Sequence, residues 1–194
     1  MNQKNTIIYF GMGCFTDTDV TVVKQLQKEY SVHWYVLHQP HDPYPVSFYA
    51  DFVKNSGVKL HMLHITNRRR SFKVLELMFK TFTEIVELSP SLIYSCCFDF
   101  YFSLAYLIKA KSIPLVFGVH DVIQHSDNRN SIFYHLSYRF SLFVGDMFLQ
   151  FSSNQNRVFK QLYPKLKSSM VGMSIKDYGE VKGEKHVFNN SNIK

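Results

Sequence analysis

The sequence has few residues of the kinds that would place it in a disulfide-rich, membrane-spanning or disordered class. It has only three cysteines, Cys14, Cys96 and Cys97, and their spacing forms neither a disulfide framework nor a zinc motif. No apolar run approaches the ~18 residues that a transmembrane helix needs. Charged residues make up 19% and hydrophobic residues 46%, which is too apolar for disorder. We therefore expect one globular domain with buried thiols in a reducing compartment.

Acidic residues are fewer than basic ones, and the formal net charge is +7. This charge favours an anionic partner, such as nucleic acid, lipid headgroups or a phosphorylated ligand, without choosing among them. Nucleic-acid motifs are absent from the sequence, and the basic residues are dispersed apart from one arginine run, so we expect no nucleic-acid partner. The N-terminus predicts a strand and a turn rather than a signal peptide. We expect a cytoplasmic protein, free or peripheral at the inner face of the membrane.

Short β-type runs alternate with helical patterns along the chain. Strands are predicted at residues 6–10, 32–37, 58–65, 91–95, 115–119, 147–151 and 168–171, with helices in the intervening segments. Strands separated by helices imply βαβ units and a parallel sheet. The predicted fold class is α/β, a Rossmann-like three-layer α/β/α sandwich with a mostly parallel sheet. It would span residues 1–175, followed by a polar tail or interdomain linker at 176–194.

The first predicted strand is followed by Gly11, Met12 and Gly13, and a helix begins shortly afterwards. Glycines at such a place let backbone N–H groups and a helix N-terminus approach a phosphate. The third glycine of the dinucleotide fingerprint is missing, because Thr16 takes its place, and no acidic residue ends the second strand. An NAD site is therefore not expected. The pattern fits a plain tight turn and a phosphate-approach loop equally well.

Ionisable residues end the fifth predicted strand, where the stretch PLVFGVHDVIQH runs from a buried strand into His120 and Asp121. An imidazole there can donate a hydrogen bond to a sugar hydroxyl, and a carboxylate can orient it. In a parallel sheet this edge is where ligands bind, which favours a functional site over a solvated strand end. Metal binding by these two residues with His125 is a weak pattern.

The run Arg68, Arg69 and Arg70 precedes a helix that carries more apolar residues than one core stripe requires. A basic cluster beside an apolar helix suits contact with anionic lipid or a lipid-linked acceptor. The alternative is a solvated arginine loop before a helix that Ser71 caps and the sheet buries, and this alternative is favoured.

The helix predicted over residues 131–145 has apolar residues at helical spacing. Its expected core stripe consists of Phe133, Leu136, Phe140 and Phe143. Another face carries Tyr134, Tyr138 and Arg139, which either line an acceptor cleft or form an ordinary amphipathic surface.

Three segments together resemble a known family. The stretch IIYFGMGCFTDTDVTVVKQLQKEYSVHWYVL resembles the first strand, glycine-rich loop, helix and second strand of family 4 glycosyltransferases with the GT-B fold. The stretch SPSLIYSCCFDFYFSLAYLIKAKSIPLVFGVHDVIQHS is similar to the segment of that family that ends in a Val-His-Asp motif. The stretch DMFLQFSSNQNRVFKQLYPKLKSSMVGM is similar to the strand and helix that lead to the domain crossing.

The resemblance implies a retaining transfer of a sugar from a nucleotide-sugar to an acceptor hydroxyl, with no cofactor and no obligatory metal. The amino-terminal domain of such enzymes supplies the acceptor side of a cleft. Gly11 and Gly13 would face the donor phosphates, and His120 would correspond to the cleft histidine near the transferred sugar. Asp121 matches the motif. The donor-binding domain of the family is not expected within this chain, so a separate donor domain is an expected partner.

Three functional hypotheses stay open at this stage. The first is the acceptor-side half of a glycosyltransferase, acting in bacterial surface-polysaccharide or glycolipid synthesis. The second is a non-catalytic domain that binds an acceptor or a partner and is inactive without a separate donor-binding domain. The third is a stand-alone Rossmann-like enzyme that uses His120, Asp121 and His125 with a metal.

Overall fold

Seven parallel strands form one sheet at the centre of the molecule. The computed structural model describes residues 4–54, 56–66, 71–123 and 132–172. The strands are β1 Thr6–Met12, β2 Ser31–His38, β3 Lys59–His64, β4 Leu92–Ser95, β5 Leu115–Val119, β6 Met147–Gln150 and β7 Ser168–Met170. The helices are α1 Thr16–Leu26, α2 Val46–Val53, α3 Phe72–Glu87, α4 Phe100–Lys109, α5 Ile132–Val144 and α6 Ser153–Leu162, and Gly13–Phe15 form a 3-10 turn.

The strand order is β3-β2-β1-β4-β5-β6-β7, and every neighbouring pair is parallel. Strands β2 and β3 are added on one side of β1, and β4 to β7 are then added on its other side. The order therefore reverses between β1 and β4, which is the switch point where open α/β sheets bind ligands. The prediction of a Rossmann-like α/β fold with a parallel sheet is confirmed.

Two separate cores cover the two faces of the sheet, because the central strands are buried on both sides. The larger core joins the sheet to α3, α4, α5 and α6. The smaller core joins it to α1 and α2, and it includes Trp34, the single tryptophan, packed against Tyr49 and Phe52. Strands and helices alternate along the chain, and the helices bury their apolar faces against both sides of one sheet. This arrangement gives the three layers.

The first strand is longer than the sequence pattern indicated. Gly11 and Met12 belong to β1 and pair with Val36 and Leu37 of β2, so they are not part of a turn. Only Gly13 lies in the turn that leads to α1. The other predicted elements begin and end within about two residues of their predicted bounds.

The predicted core stripe of α5 was wrong. Three of its four residues are exposed, by 54%, 53% and 74%: Phe133, Leu136 and Phe143. The helix instead buries a different set of side chains, Tyr138, Ser141, Leu142 and Val144. The buried Ser141 hydroxyl is hydrogen-bonded to the Ser103 hydroxyl of α4 at 2.8 Å, which satisfies both polar groups in the core.

Several predictions fall outside the described residues. These are the arginine run Arg68, Arg69 and Arg70, the third histidine His125, and the tail at 176–194. Within the described ranges, no helix has both the length and the apolar character needed to cross a membrane.

Candidate functional site

A cavity of about 480 Å³ opens at the carboxyl edge of the sheet. The ends of β1, β4 and β5 reach it, and helices α3, α4 and α5 close its sides. Its volume lies in the range of small-molecule binding sites, which are typically apolar with a few polar groups. The cavity therefore lies at the place where the topology of the sheet predicts a ligand.

His120 directly follows β5 and lines this cavity. Its imidazole is stacked between two aromatic rings, Phe15 at 4.7 Å and Phe151 at 4.6 Å between centroids. The stacking fixes the ring plane of a side chain that would otherwise rotate freely. Loss of solvent lowers the pKa of His120, and the nearby Asp121 carboxylate opposes this only in part. The imidazole is therefore neutral at neutral pH and presents one donor and one acceptor nitrogen.

Asp121 lines the same cavity and is exposed to solvent. Tyr134 of α5 lines the cavity as well, and burial together with the charge of Asp121 raises the pKa of its phenol. The structure thus brings His120, Asp121 and Tyr134 to one end of the cavity as a polar group.

A second carboxylate reaches the cavity from the segment between β4 and α4. Asp99 caps α4, and its Oδ1 accepts hydrogen bonds from the backbone N–H groups of Tyr101 at 2.8 Å and Phe102 at 3.1 Å. An acidic N-cap is favourable because it satisfies orphan donors at the positive end of the helix dipole. Asp99 is thereby fixed in place by the helix that it begins.

Close packing explains why both positions of the predicted phosphate loop, Gly11 and Gly13, carry no side chain. A Cβ at Gly11 would overlap the Asp19 carboxylate, and a Cβ at Gly13 would overlap Asp42. Met12, between them, lines the cavity. Carboxylates packed against both glycines make this segment a less favourable phosphate environment than the sequence pattern suggested. The phosphate role of these residues stays a prediction.

The cysteines contribute to the walls of the cavity, a role that nothing in their spacing along the chain predicts. Cys96 and Cys97 are buried, whereas Cys14 is exposed rather than buried as expected. The Cys96 thiol lies 3.2 Å from the Tyr94 hydroxyl, and burial raises the pKa of Cys96 to about 12. Gly118 of β5 leaves room for both groups, since a Cβ there would overlap the Tyr94 hydroxyl.

The predicted polar face of α5 is divided between different surroundings. Tyr134 lines the cavity, but Tyr138 is buried and its ring is stacked on Phe98 at 5.1 Å. Arg139 lines a separate groove of about 450 Å³ that it shares with Leu162. Of the predicted cleft residues on this helix, only Tyr134 therefore lies at the site.

Metal ligands are not grouped within the described residues, where no set of three or more His, Cys, Asp or Glu side chains is arranged to hold an ion. His125 lies outside the described residues, so its position relative to His120 and Asp121 is not part of this geometry.

No protein-family model and no curated protein matches the sequence. Solved structures share its fold. UDP-GlcNAc 2-epimerase from Neisseria meningitidis, solved with UDP-GlcNAc bound, matches with a TM-score of 0.60 at 12% identity, over 87% of this chain and 46% of the epimerase. MurG from Acinetobacter baumannii matches with a TM-score of 0.57 at 13% identity, over 90% of this chain and 47% of MurG.

The lipopolysaccharide outer core galactosyltransferase WaaB in its apo form also matches, with a TM-score of 0.55 at 14% identity, over 86% of this chain and 45% of WaaB. At these identities the likeness shows the fold alone, the Rossmann-like α/β fold found in GT-B proteins. The chain spans about half the length of the solved structures that it matches.

Proposed function

We propose that the chain forms the acceptor-side half of a glycosyltransferase that moves a sugar from a nucleotide-sugar to an acceptor hydroxyl. The observation that carries the proposal is the cavity at the switch point of the sheet, with a neutral, stacked imidazole at its polar end. Solved structures with the same fold include a galactosyltransferase and a UDP-GlcNAc-bound epimerase, which supports a function related to nucleotide-sugars. The sequence resemblance adds a retaining outcome and a role in bacterial surface-polysaccharide or glycolipid synthesis.

In this proposal His120 makes a hydrogen bond to the transferred sugar or to the acceptor hydroxyl. A neutral imidazole can do so as donor or acceptor, and its fixed ring plane means that little reorganisation is needed when the substrate binds. The Asp121 carboxylate beside it favours the protonated form of the ring, although desolvation outweighs this effect. Both residues are positioned by the end of β5, whose backbone is held on both sides by β4 and β6.

The donor diphosphate needs cationic groups, and the described lining of this cavity supplies neither lysine nor arginine. A diphosphate bound there would face Asp99 and Asp121 without compensation, which is unfavourable in a partly dehydrated site. We therefore assign donor binding to a second domain, in the same protein or in a partner, and expect no sugar transfer by these 194 residues alone.

The test uses the protein assembled with its donor domain. We expect His120→Ala to lower kcat for sugar transfer about 100-fold, the usual effect of removing one preorganised hydrogen-bonding group. His135→Ala is the matched control, because His135 is exposed on α5 and does not line the cavity. Normal turnover by the His120→Ala protein would make this histidine structural and remove the central support of the proposal.

A second candidate is a non-catalytic domain that binds an acceptor or a partner protein. The exposed apolar side chains of α5 favour it, since Phe143 is 74% exposed and Ile132 77% exposed. The two functions differ in one measurement, because only the first predicts nucleotide-sugar turnover when a donor domain is supplied.

A further inference from the structure

Three exposed apolar side chains lie at the ends of three neighbouring helices. Ile108 is 59% exposed near the end of α4, Phe143 is 74% exposed near the end of α5, and Leu162 is 55% exposed at the end of α6. Each of these helices packs other side chains against the larger core. The three exposed side chains are therefore not part of the packing that holds the helices on the sheet.

Two contacts show that these helix ends are neighbours. The Lys111 ammonium, just after α4, donates a hydrogen bond to the carbonyl of Val144, the last residue of α5, at 2.9 Å. A groove between α5 and α6 is lined by Leu142 of α5 and Leu162 of α6. Helices that connect parallel strands run antiparallel to them, so these ends lie at the amino edge of the sheet, opposite the cavity.

Exposed basic side chains lie among the apolar ones. Arg139 and Lys165 line the same groove as Leu162, and Lys109 follows Ile108 in α4. The sequences of α4, α5 and α6 contain no Asp or Glu, whereas α3 in the same layer contains three glutamates. The apolar and basic residues together form one surface, the α4–α6 face: Ile108, Lys109, Arg139, Phe143, Leu162 and Lys165.

This combination of side chains fits the surface of an anionic lipid bilayer. Apolar side chains enter the boundary between headgroups and acyl chains, while Lys and Arg remain at the level of the lipid phosphates. The carboxylate of Asp146, just after α5, is already compensated, because it accepts hydrogen bonds from Lys111 at 3.0 Å and from the backbone N–H of Leu115 at 2.9 Å. A nucleic acid would engage the basic side chains through its phosphates and leave the three apolar side chains in water.

We propose that the α4–α6 face binds the surface of an anionic lipid bilayer. This inference does not rest on the proposed function, because the cavity lies at the opposite edge of the sheet and takes no part in the contact. It also differs from the sequence-based expectation, which assigned lipid contact to the arginine run before α3.

Flotation of the purified chain with lipid vesicles tests the inference. We expect the chain to float with vesicles made of equal parts phosphatidylcholine and phosphatidylglycerol. Binding to pure phosphatidylcholine should be weaker by about tenfold or more, because each basic side chain near an anionic surface strengthens binding about fivefold. Added salt should weaken binding to the mixed vesicles. No binding to the mixed vesicles, or equal binding to both kinds, would overturn the inference and leave the face to a protein partner.

Variants locate the contact on the chain. Phe143→Ser and Leu162→Ser each remove an exposed apolar side chain and should weaken binding to the mixed vesicles about fivefold or more. The double variant Arg139→Gln with Lys165→Gln removes two charges and should weaken it about 25-fold. All four positions are exposed apart from their contacts in the groove, and thermal unfolding checks that each variant folds.

Matched controls change the same residue types elsewhere. Phe72→Ser removes a side chain that is 85% exposed at the start of α3, and Lys28→Gln with Lys54→Gln removes two exposed charges in the α1–α2 layer. Both controls should bind the mixed vesicles as the natural chain does. If Phe72→Ser removes binding and the variants of the α4–α6 face do not, the contact lies beside α3 and the inference is wrong.

Discussion

The Asp19 carboxyl lies inside the smaller core, where its Oδ1 accepts a hydrogen bond from the Tyr9 hydroxyl at 2.7 Å. Burial raises the pKa of Asp19 to about 7, although the bond from Tyr9 favours the carboxylate. In the unfolded chain the group loses its proton near pH 4. The free energy of unfolding should therefore fall as the pH rises from about 4 to 7, by about 1.4 kcal/mol for each unit of pKa difference.

Asp19→Asn resembles the protonated acid and cannot ionise, so it should remove this pH dependence. Urea unfolding at pH 5 and pH 8 measures the free energy of unfolding of both proteins. The variant minus natural-chain difference in this free energy should be more favourable to the variant at pH 8 than at pH 5. Asp51→Asn is the control, because Asp51 is exposed on α2. An Asp19→Asn effect of equal size at both pH values would contradict the prediction.

The His120 ring should titrate below the usual histidine range, because burial between Phe15 and Phe151 disfavours the imidazolium. A proton NMR titration measures this pKa, with the resonance assigned by its loss in His120→Gln. We expect a midpoint below 6.5. A His120 midpoint above 6.5 would mean that the Asp121 carboxylate outweighs desolvation.

Gly118 of β5 has no room for a side chain. An added Cβ would overlap the Tyr94 hydroxyl and lie 3.0 Å from the Cys96 thiol. Gly118→Ala should therefore lower the free energy of unfolding by about 1–3 kcal/mol. Gly172→Ala is the matched control, because no atom lies within 4 Å of the added Cβ. Urea unfolding of both variants is the measurement, and equal stabilities would contradict the packing described here.

At the scale of elements, helix α5 shows where sequence periodicity is ambiguous. The segment IFYHLSYRFSLFV carries apolar or aromatic residues on nearly every face, so two stripes fit a 3.6-residue period. The buried stripe contains Ser141, whose hydroxyl is hydrogen-bonded to Ser103 of another helix. A pattern of apolar residues within one helix cannot reveal that long-range pair, which is why the exposed stripe was predicted as core.

Adjacent residues of α5 test which face is buried. Leu142 is 6% exposed and Phe143 is 74% exposed. Leu142→Ala should lower the free energy of unfolding by about 2–5 kcal/mol, while Phe143→Ala should change it by less than about 1 kcal/mol. Denaturant unfolding of the two variants measures both values. The reverse order of effects would restore the stripe predicted from the sequence.

The strands were predictable because buried parallel strands are nearly continuous apolar runs, and β1 has five buried residues in succession, from Ile7 to Gly11. The position of His120 at the carboxyl edge followed from that topology. Its two stacking partners did not follow, because Phe15 and Phe151 come from the turn after β1 and the end of β6. Contacts between distant segments leave no local pattern in a sequence.

At the scale of the whole molecule, the acidic cavity contrasts with a chain of net charge +7. The excess of basic residues therefore lies away from the cavity lining that the structure describes. Calorimetric titration of the chain with UDP-GlcNAc should give no saturable binding, whereas the protein assembled with its donor domain should bind a nucleotide-sugar. Tight stoichiometric binding by the chain alone would contradict the assignment of the diphosphate to a second domain.

Trp34 is the single tryptophan and is enclosed in the layer of α1 and α2, on the face of the sheet opposite the helices that form the cavity. Its emission is therefore a built-in optical reporter of one layer. Loosening of the α1–α2 layer shifts the fluorescence, while loosening of the α3–α6 layer is registered by circular dichroism without a matching fluorescence change. Two signals that coincide during unfolding would show that both layers melt as one cooperative unit.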